Sequence, residues 1–237
     1  MKTMFRNVWP AILLVILSTP FCAIAQTSLP ATVDWRSAGA VGPVRMMGQC
    51  DGSWAFAAAA AVEGAKAIKS GQLVALSEQE LIDCSGVDGN HGCSGGSVDA
   101  AFQWIARHGI TAESQYPYTA RDGSCRMGKA TIAIISSFHR VAVDLQTLMA
   151  AVAKQPVAVE IDGSSSAFHD YSGGIYACHP GVANFWVTIV GYGTDGAGRA
   201  YWIVKSPLGT GWGEHGYMRM ARSADCSNIG AAVVPVM

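Results

Sequence analysis

The sequence predicts an α+β protein of two lobes, a mainly helical one followed by a mainly β one. Three observations carry this reading. Apolar residues keep helical spacing through the stretch that ends at His108. From Thr131 onward, β-branched and aromatic runs bounded by Gly, Pro, Asp or Ser replace them. The period changes once, near residue 125, which sets the lobe boundary. The groove between two such lobes is the default binding site.

In chain order, Leu29 to Trp35 reads as an extended lead-in and Gly42-Pro43-Val44 as a turn. Ser53 to Lys69 carries only Glu63, Lys66 and Lys69 as charges, so it is a helix apolar nearly all round and therefore buried. Ser70-Gly71 ends it. Ser77-Glu78-Gln79-Glu80 is a capping box that opens a short helix through Cys84. A Gly/Ser/Asp loop runs from Ser85 to Gly96. An amphipathic helix follows from Ser97 to His108, stopped by Gly109. Strands are expected at Thr131–Val143, Val157–Ile161, Val187–Tyr192, Tyr201–Val204 and Tyr217–Met220, with one helix at Leu145–Ala153 between them.

The first residues form a separate unit. Lys2 and Arg6 precede an apolar run from Val8 to Leu17, and Ala23-Ile24-Ala25 supplies a cleavage pattern. This reads as a signal peptide over residues 1–25, cut after Ala25, because the apolar run is too short to span a bilayer. It leaves residues 26–237 as the mature domain, about 26–125 helical and 126–237 β, with a secreted, extracellular or periplasmic location. Removing Lys2 and Arg6 takes the 16 basic residues to 14 against 17 acidic ones, a net charge of −3. That balance gives no footprint for nucleic acid or anionic lipid, and no later stretch suggests a membrane anchor. Of the seven cysteines, Cys22 lies in the leader. The even remainder, Cys50, Cys84, Cys93, Cys125, Cys178 and Cys226, argues for three disulfides, and spacing alone leaves about fifteen connectivities open. No C-x-x-C knuckle or paired-His spacing favours zinc, so no metal or cofactor is expected.

Gly48 to Phe56 has the form of a nucleophile site. A Gly turn leads to Ser53 at the start of the Ala-rich helix, where free N–H groups and the helix dipole favour a developing oxyanion. The plainer reading is that Asp51 or Ser53 caps the helix.

Motifs along the whole mature chain point further. Val33-Asp34-Trp35-Arg36, Gly48-Gln49-Cys50, Trp54-Ala55-Phe56, Leu76-Ser77-Glu78-Gln79-Glu80-Leu81, Gly92-Cys93-Ser94-Gly95-Gly96, Gln155-Pro156-Val157, Gly173-Gly174-Ile175-Tyr176, Val190-Gly191-Tyr192-Gly193 and Gly209-Thr210-Gly211-Trp212-Gly213-Glu214 together resemble the papain-like cysteine proteases. The resemblance implies a papain-like two-lobed fold, a helical lobe and an antiparallel β-barrel-like lobe with a substrate cleft between. It also implies the pairings Cys50–Cys93, Cys84–Cys125 and Cys178–Cys226, each worth roughly 4 kcal/mol at most by the chain-entropy argument.

The same resemblance marks departures. Where the family has its nucleophilic Cys this sequence has Ser53. Phe185 stands at the catalytic His position, Ser206 at the orienting Asn, Met47 at the oxyanion Gln and Leu208 at the shielding Trp. A Ser hydroxyl needs a base, and Phe185 cannot accept a proton. Loss of such a set as a unit costs on the order of 10⁶ in rate. His91, His108, His139, His169, His179 and His215 do not match a cleft position opposite Ser53, and Lys205 is the remaining base to consider. Asp51 would repel an oxyanion, and Trp186 falls at the floor of the main specificity pocket. Gly95 and Gly96, the main-chain partners of an extended peptide, are kept. With Asn184 and Trp212 these residues outline the cleft. Only Gln26-Thr27-Ser28 stand where the family carries a propeptide.

The expectation from sequence is therefore a secreted, monomeric, non-catalytic binding protein with no competent catalytic residue. Its partner would be a protein or peptide, a protease inhibitor among them. An atypical Ser53 hydrolase and a structural or storage role are the alternatives.

Overall fold

The computed structural model describes Met1 and residues 28–128, 130–177, 181–223 and 229–237. The expected leader beyond Met1 and the expected Cys178–Cys226 pair lie outside the described residues.

The helical part is built on α1 (Ser53–Ser70), buried for most of its length as its composition requires. Gly71, in the left-handed region at φ 72°, ends it and donates its N–H to Ala67. A Cβ at Gly64 would meet the Ala40 carbonyl at 3.0 Å, so α1 lies close against the neighbouring chain. The short helix α2 (Glu78–Cys84) starts on Ser77, whose side chain accepts from the Glu80 N–H. Only half of the expected capping box forms. The Glu80 carboxylate reaches Thr111 N–H at 2.7 Å instead, and the Ser77 N–H donates to the Thr111 carbonyl. Two 3₁₀ turns, Ser85–Asp88 and Gly92–Ser94, shape the following loop. Helix α3 (Val98–His108) is capped by Ser97. The disulfides Cys50–Cys93 and Cys84–Cys125 form as the resemblance implied.

The β part is one sheet. Its strands are β1 (Val33–Asp34), β2 (Ser137–Arg140), β3 (Val157–Ile161), β4 (Ile175–Tyr176), β5 (Phe185–Thr194), β6 (Ala200–Lys205), β7 (Tyr217–Ala221) and β8 (Ile229–Val236). They run in the order β2-β8-β3-β5-β6-β7-β4, with β1 added on β5. Helices α4 (Leu145–Val152) and α5 (Ser166–His169) lie between strands in the sequence.

Two expectations need correction. The sheet is mixed and open rather than antiparallel and barrel-like, because β4 joins β7 in parallel and no pairing among the described residues closes the ends. The long strand expected at Thr131–Val143 is cut to Ser137–Arg140. Its first part is drawn elsewhere: Ala133 bridges to Ile110, and Ile135 is buried with the helices.

The core has two centres. One gathers Trp54, Phe102, Trp104 and Ile105 around α1 and α3; the other gathers Phe168, Tyr192, Trp202 and Met218 within the sheet. Strand β5 serves both. Its alternate residues face opposite ways, so Trp186 joins the helical core while Phe185, Val187 and Ile189 join the sheet core.

Candidate active site

Three segments converge where α1 begins. The first is the helix start itself. Gly52, not Asp51 or Ser53, occupies the cap position, and no side chain caps the helix. The capping expectation is thus corrected. Ser53 is already the first helical residue, and its Oγ turns to the second segment, accepting from the Trp186 N–H at 3.3 Å. The amides of Ser53 and Trp54 find no acceptor among the described residues. Ser53 thus combines a hydroxyl, whose proton is not used in that contact, with free donors at the positive end of an 18-residue helix. It is also almost fully buried, at 4 % exposure.

The third segment is the loop after β6. The Met47 N–H donates to the Pro207 carbonyl at 2.8 Å, and Met46 bridges to Leu208. Met47 and the stretch from Ser206 to Leu208 are thereby held side by side. Tyr118, which the sequence reading missed, fixes this arrangement by donating from its hydroxyl to the Met47 carbonyl at 2.6 Å. Its only signal was an aromatic residue after a proline. Burial, with Glu78 and Glu113 nearby, pushes its phenol above the ordinary tyrosine range. Ser206 donates its N–H to the Gly216 carbonyl, but its buried Oγ has no partner.

Phe185 is buried in the sheet core with its ring edge-on to Phe168 at 5.4 Å. Trp212, expected in the cleft, is instead a core residue. It packs on Phe168 at 5.1 Å and donates its indole N–H to the Phe168 carbonyl. Asn184 is exposed and accepts from the Gly163 N–H through its side chain. Asp51 is exposed, tied by its N–H to the Cys93 carbonyl. Gly95 gives its carbonyl to the His91 N–H, whereas neither main-chain group of Gly96 bonds elsewhere among the described residues. Gly96 must be Gly, since a Cβ there would lie 2.8 Å from the Trp54 ring.

No described histidine makes a hydrogen bond to Ser53. His108 packs on Trp104 and His169 on Phe168, His215 sits in a turn at φ 57°, and His179 lies outside the described residues. Lys205 is buried and belongs to a charged cluster with Arg45, Glu63 and Glu78. In it Arg45 contacts Glu63 at 2.8 Å, Glu78 at 2.6 Å and Glu113 at 3.4 Å. Burial lowers the Lys205 ammonium below its ordinary range, Arg45 adding to this while Glu63 and Glu78 oppose it. Burial likewise raises the Glu78 carboxyl well above its ordinary range, although Arg45 pulls the other way. Among the described residues no group of three metal-ligating side chains comes together, and no helix is long and apolar enough to cross a membrane.

Known proteins place this geometry. The profile of the papain family of cysteine proteases matches residues 29–236. Cysteine endopeptidase RepA of Oryza sativa subsp. japonica is 47 % identical over 86 % of this chain and 55 % of its own length. Vignain of Phaseolus vulgaris is 48 % identical over 83 % of this chain and 55 % of its own. The chain thus spans about half the length of the curated relatives it matches. Among solved structures, bromelain protease from Ananas comosus in complex with the E64 inhibitor superposes with a TM-score of 0.84. It is 38 % identical, over 88 % of this chain and all of that one. The ragweed pollen allergen Amb a 11, a cysteine protease solved in its proform, gives a TM-score of 0.85 at 39 % identity, over 90 % of this chain and 67 % of that one. These comparisons correct the expectation of a non-catalytic binding protein. The relatives carry the names of cysteine proteases and endopeptidases, and nothing in them indicates a chain withdrawn from catalysis.

Proposed function

This chain belongs to the papain family of cysteine proteases, and we propose that it takes polypeptides into the cleft at the start of α1, with Ser53 as the nucleophile for any bond it cleaves. One observation carries this reading. Ser53 sits at a helix start whose first two amides have no acceptor among the described residues, and the Gly96 N–H and C=O, likewise unpaired there, face an extended chain in this reading. An oxyanion formed at Ser53 would find donors already in place, the kind of preorganised stabilisation that contributes most in acyl transfer.

The departures from the family set then govern rate rather than site. With Phe185 at the base position, the factor of roughly 10²–10⁴ that a general base supplies is missing. A hydroxyl without a base is also a far poorer nucleophile than a thiolate. Slow turnover is the expected behaviour. By the resemblance Trp186 falls at the floor of the main specificity pocket and would favour small residues there; its side chain packs into the helical core. The two disulfides support passage through an oxidising compartment, in line with the leader read at residues 1–25.

The test is hydrolysis of a fluorogenic peptide library by the chain and by Ser53→Ala, alongside binding of a non-cleavable peptide. Slow hydrolysis lost in Ser53→Ala, with peptide binding kept, is the expected result. Hydrolysis unchanged in Ser53→Ala, or no saturable peptide binding, overturns the reading.

A further inference from the structure

We propose that a second pocket, on the face made by α1, α4, β2 and β8, binds a small amphipathic anion with an acyl tail and a carboxylate head. It shares no lining residue with the Ser53 cleft and does not depend on the reading of that cleft.

The pocket encloses about 520 Å³, inside the range of roughly 300–1,000 Å³ usual for small-molecule sites. Its floor is buried and apolar: Ala65 from α1, Val141 after β2, and Val234 and Pro235 from β8. Ala150 and Ala151 of α4 form one wall, and their small side chains leave the opening wide. The walls are fastened to one another. The Gln155 side chain donates to the Pro235 carbonyl at 2.9 Å, and β2 pairs with β8 through His139 opposite Val234. The cavity is therefore set by packed elements rather than by a loose loop.

Charge selects the occupant. Lys69, Lys154, His139 and Arg140 stand among the lining residues; no Asp or Glu does, and the one anion there, the Met237 carboxylate, makes no ion pair among the described residues. Arg140 is engaged by Asp99 at 2.9 Å. Lys69 and Lys154 are exposed and make no ion pair or hydrogen bond among the described residues. Free cations around an apolar hollow fit a molecule with an apolar body and one anionic end. The tail would bury against the floor, and the head would meet the lysines at the rim. A cationic amphiphile would be repelled by the same groups.

The experiment is calorimetric titration of the full chain with dodecanoate, below the concentration at which it forms micelles. Dodecyltrimethylammonium serves as the same tail with the opposite head. Saturable one-to-one binding of dodecanoate is expected, with the cationic twin at least about tenfold weaker. The double substitution Lys69→Ala/Lys154→Ala should weaken dodecanoate about tenfold, as two exposed charge contacts would. Ala150→Trp, which fills the opening from the half-buried face of α4, should abolish binding with the thermal midpoint unchanged; should it impair folding, the lysine pair decides. No saturable binding, equal binding of the two amphiphiles, or dodecanoate binding undiminished in the lysine double variant overturns the proposal.

Discussion

Helix α1 carries two regions of opposite character. At its N-terminus lie Ser53, Ser206 and Met47, none of which is ionised at neutral pH, while Phe185 is buried in the sheet core. Along its length, Glu63 joins Arg45, Glu78, Glu113 and Lys205 in a cluster of five ionisable groups, most of them buried. A small cavity of about 20 Å³, lined by Arg45, Glu78, Lys205 and Ser206, lies between the two. On the proposed reading the cleft has donors and a nucleophile but no proton acceptor among the described residues, while the titratable groups sit where they join α1, α2 and β6. The charges couple residues from both parts of the chain, and on the proposed reading the Ser53 hydroxyl acts without help from them.

The largest effect should come from removing the shared cation. Arg45→Met removes the ion-pair partner of Glu63 and Glu78, each about 1 % exposed, and leaves Lys205 as the remaining cation of the cluster. Loss of one partner of a buried pair costs about 3–5 kcal/mol. A urea midpoint lowered to match would support the structural role of the cluster, and an unchanged midpoint would break the contrast.

A smaller, pH-dependent effect should follow from Glu78. Its folded carboxyl is raised above the ordinary 4.5 by burial. Below that ordinary value both states hold the proton. As pH rises from there through the raised value, the unfolded chain releases its proton more readily, and stability is lost. Glu78→Gln removes this slope, so its stability relative to the parent should climb from acid to neutral pH. Urea titrations of both proteins across that span would show it, and a flat difference would contradict it.

The smallest effect belongs to the cleft. The Ser206 Oγ is buried without a partner, so Ser206→Ala should shift stability by less than about 1 kcal/mol, on the favourable side. Destabilisation beyond that in thermal unfolding would show that Ser206 serves the cluster after all.

The long elements were legible because their patterns are unambiguous. The apolar run of α1 and the β-branched run Val157–Ile161 appear where the sequence placed them. What escaped depends on distant partners. Strand β8 contains Gly230 and Pro235 and pairs with β2 and β3 far back in the chain, so local propensity hid it. Residues 131–136 were drawn to Ile110 and the helical core rather than into a strand. In the site, Ser53, Met47, Ser206 and Leu208 were placed together by motif spacing, and the Ser53–Trp186 and Met47–Pro207 contacts join the three segments that carry them. Trp212 was misassigned because an aromatic residue in a Gly-rich turn looks the same from sequence whether it lines a cleft or packs on Phe168. The Arg45 cluster was invisible, since its members, from Glu63 to Lys205, are scattered far along the chain.

On the proposed reading the cleft keeps a reactive geometry and lacks only the groups that would drive it. The most direct measurement is kcat/KM for peptide hydrolysis by the fourfold substitution Met47→Gln, Ser53→Cys, Phe185→His and Ser206→Asn. A gain of several orders of magnitude, approaching the order of 10⁶ that such a set contributes as a unit, is expected, confined to substrates with small side chains beside Trp186. A folded variant with no gain over the parent would contradict it.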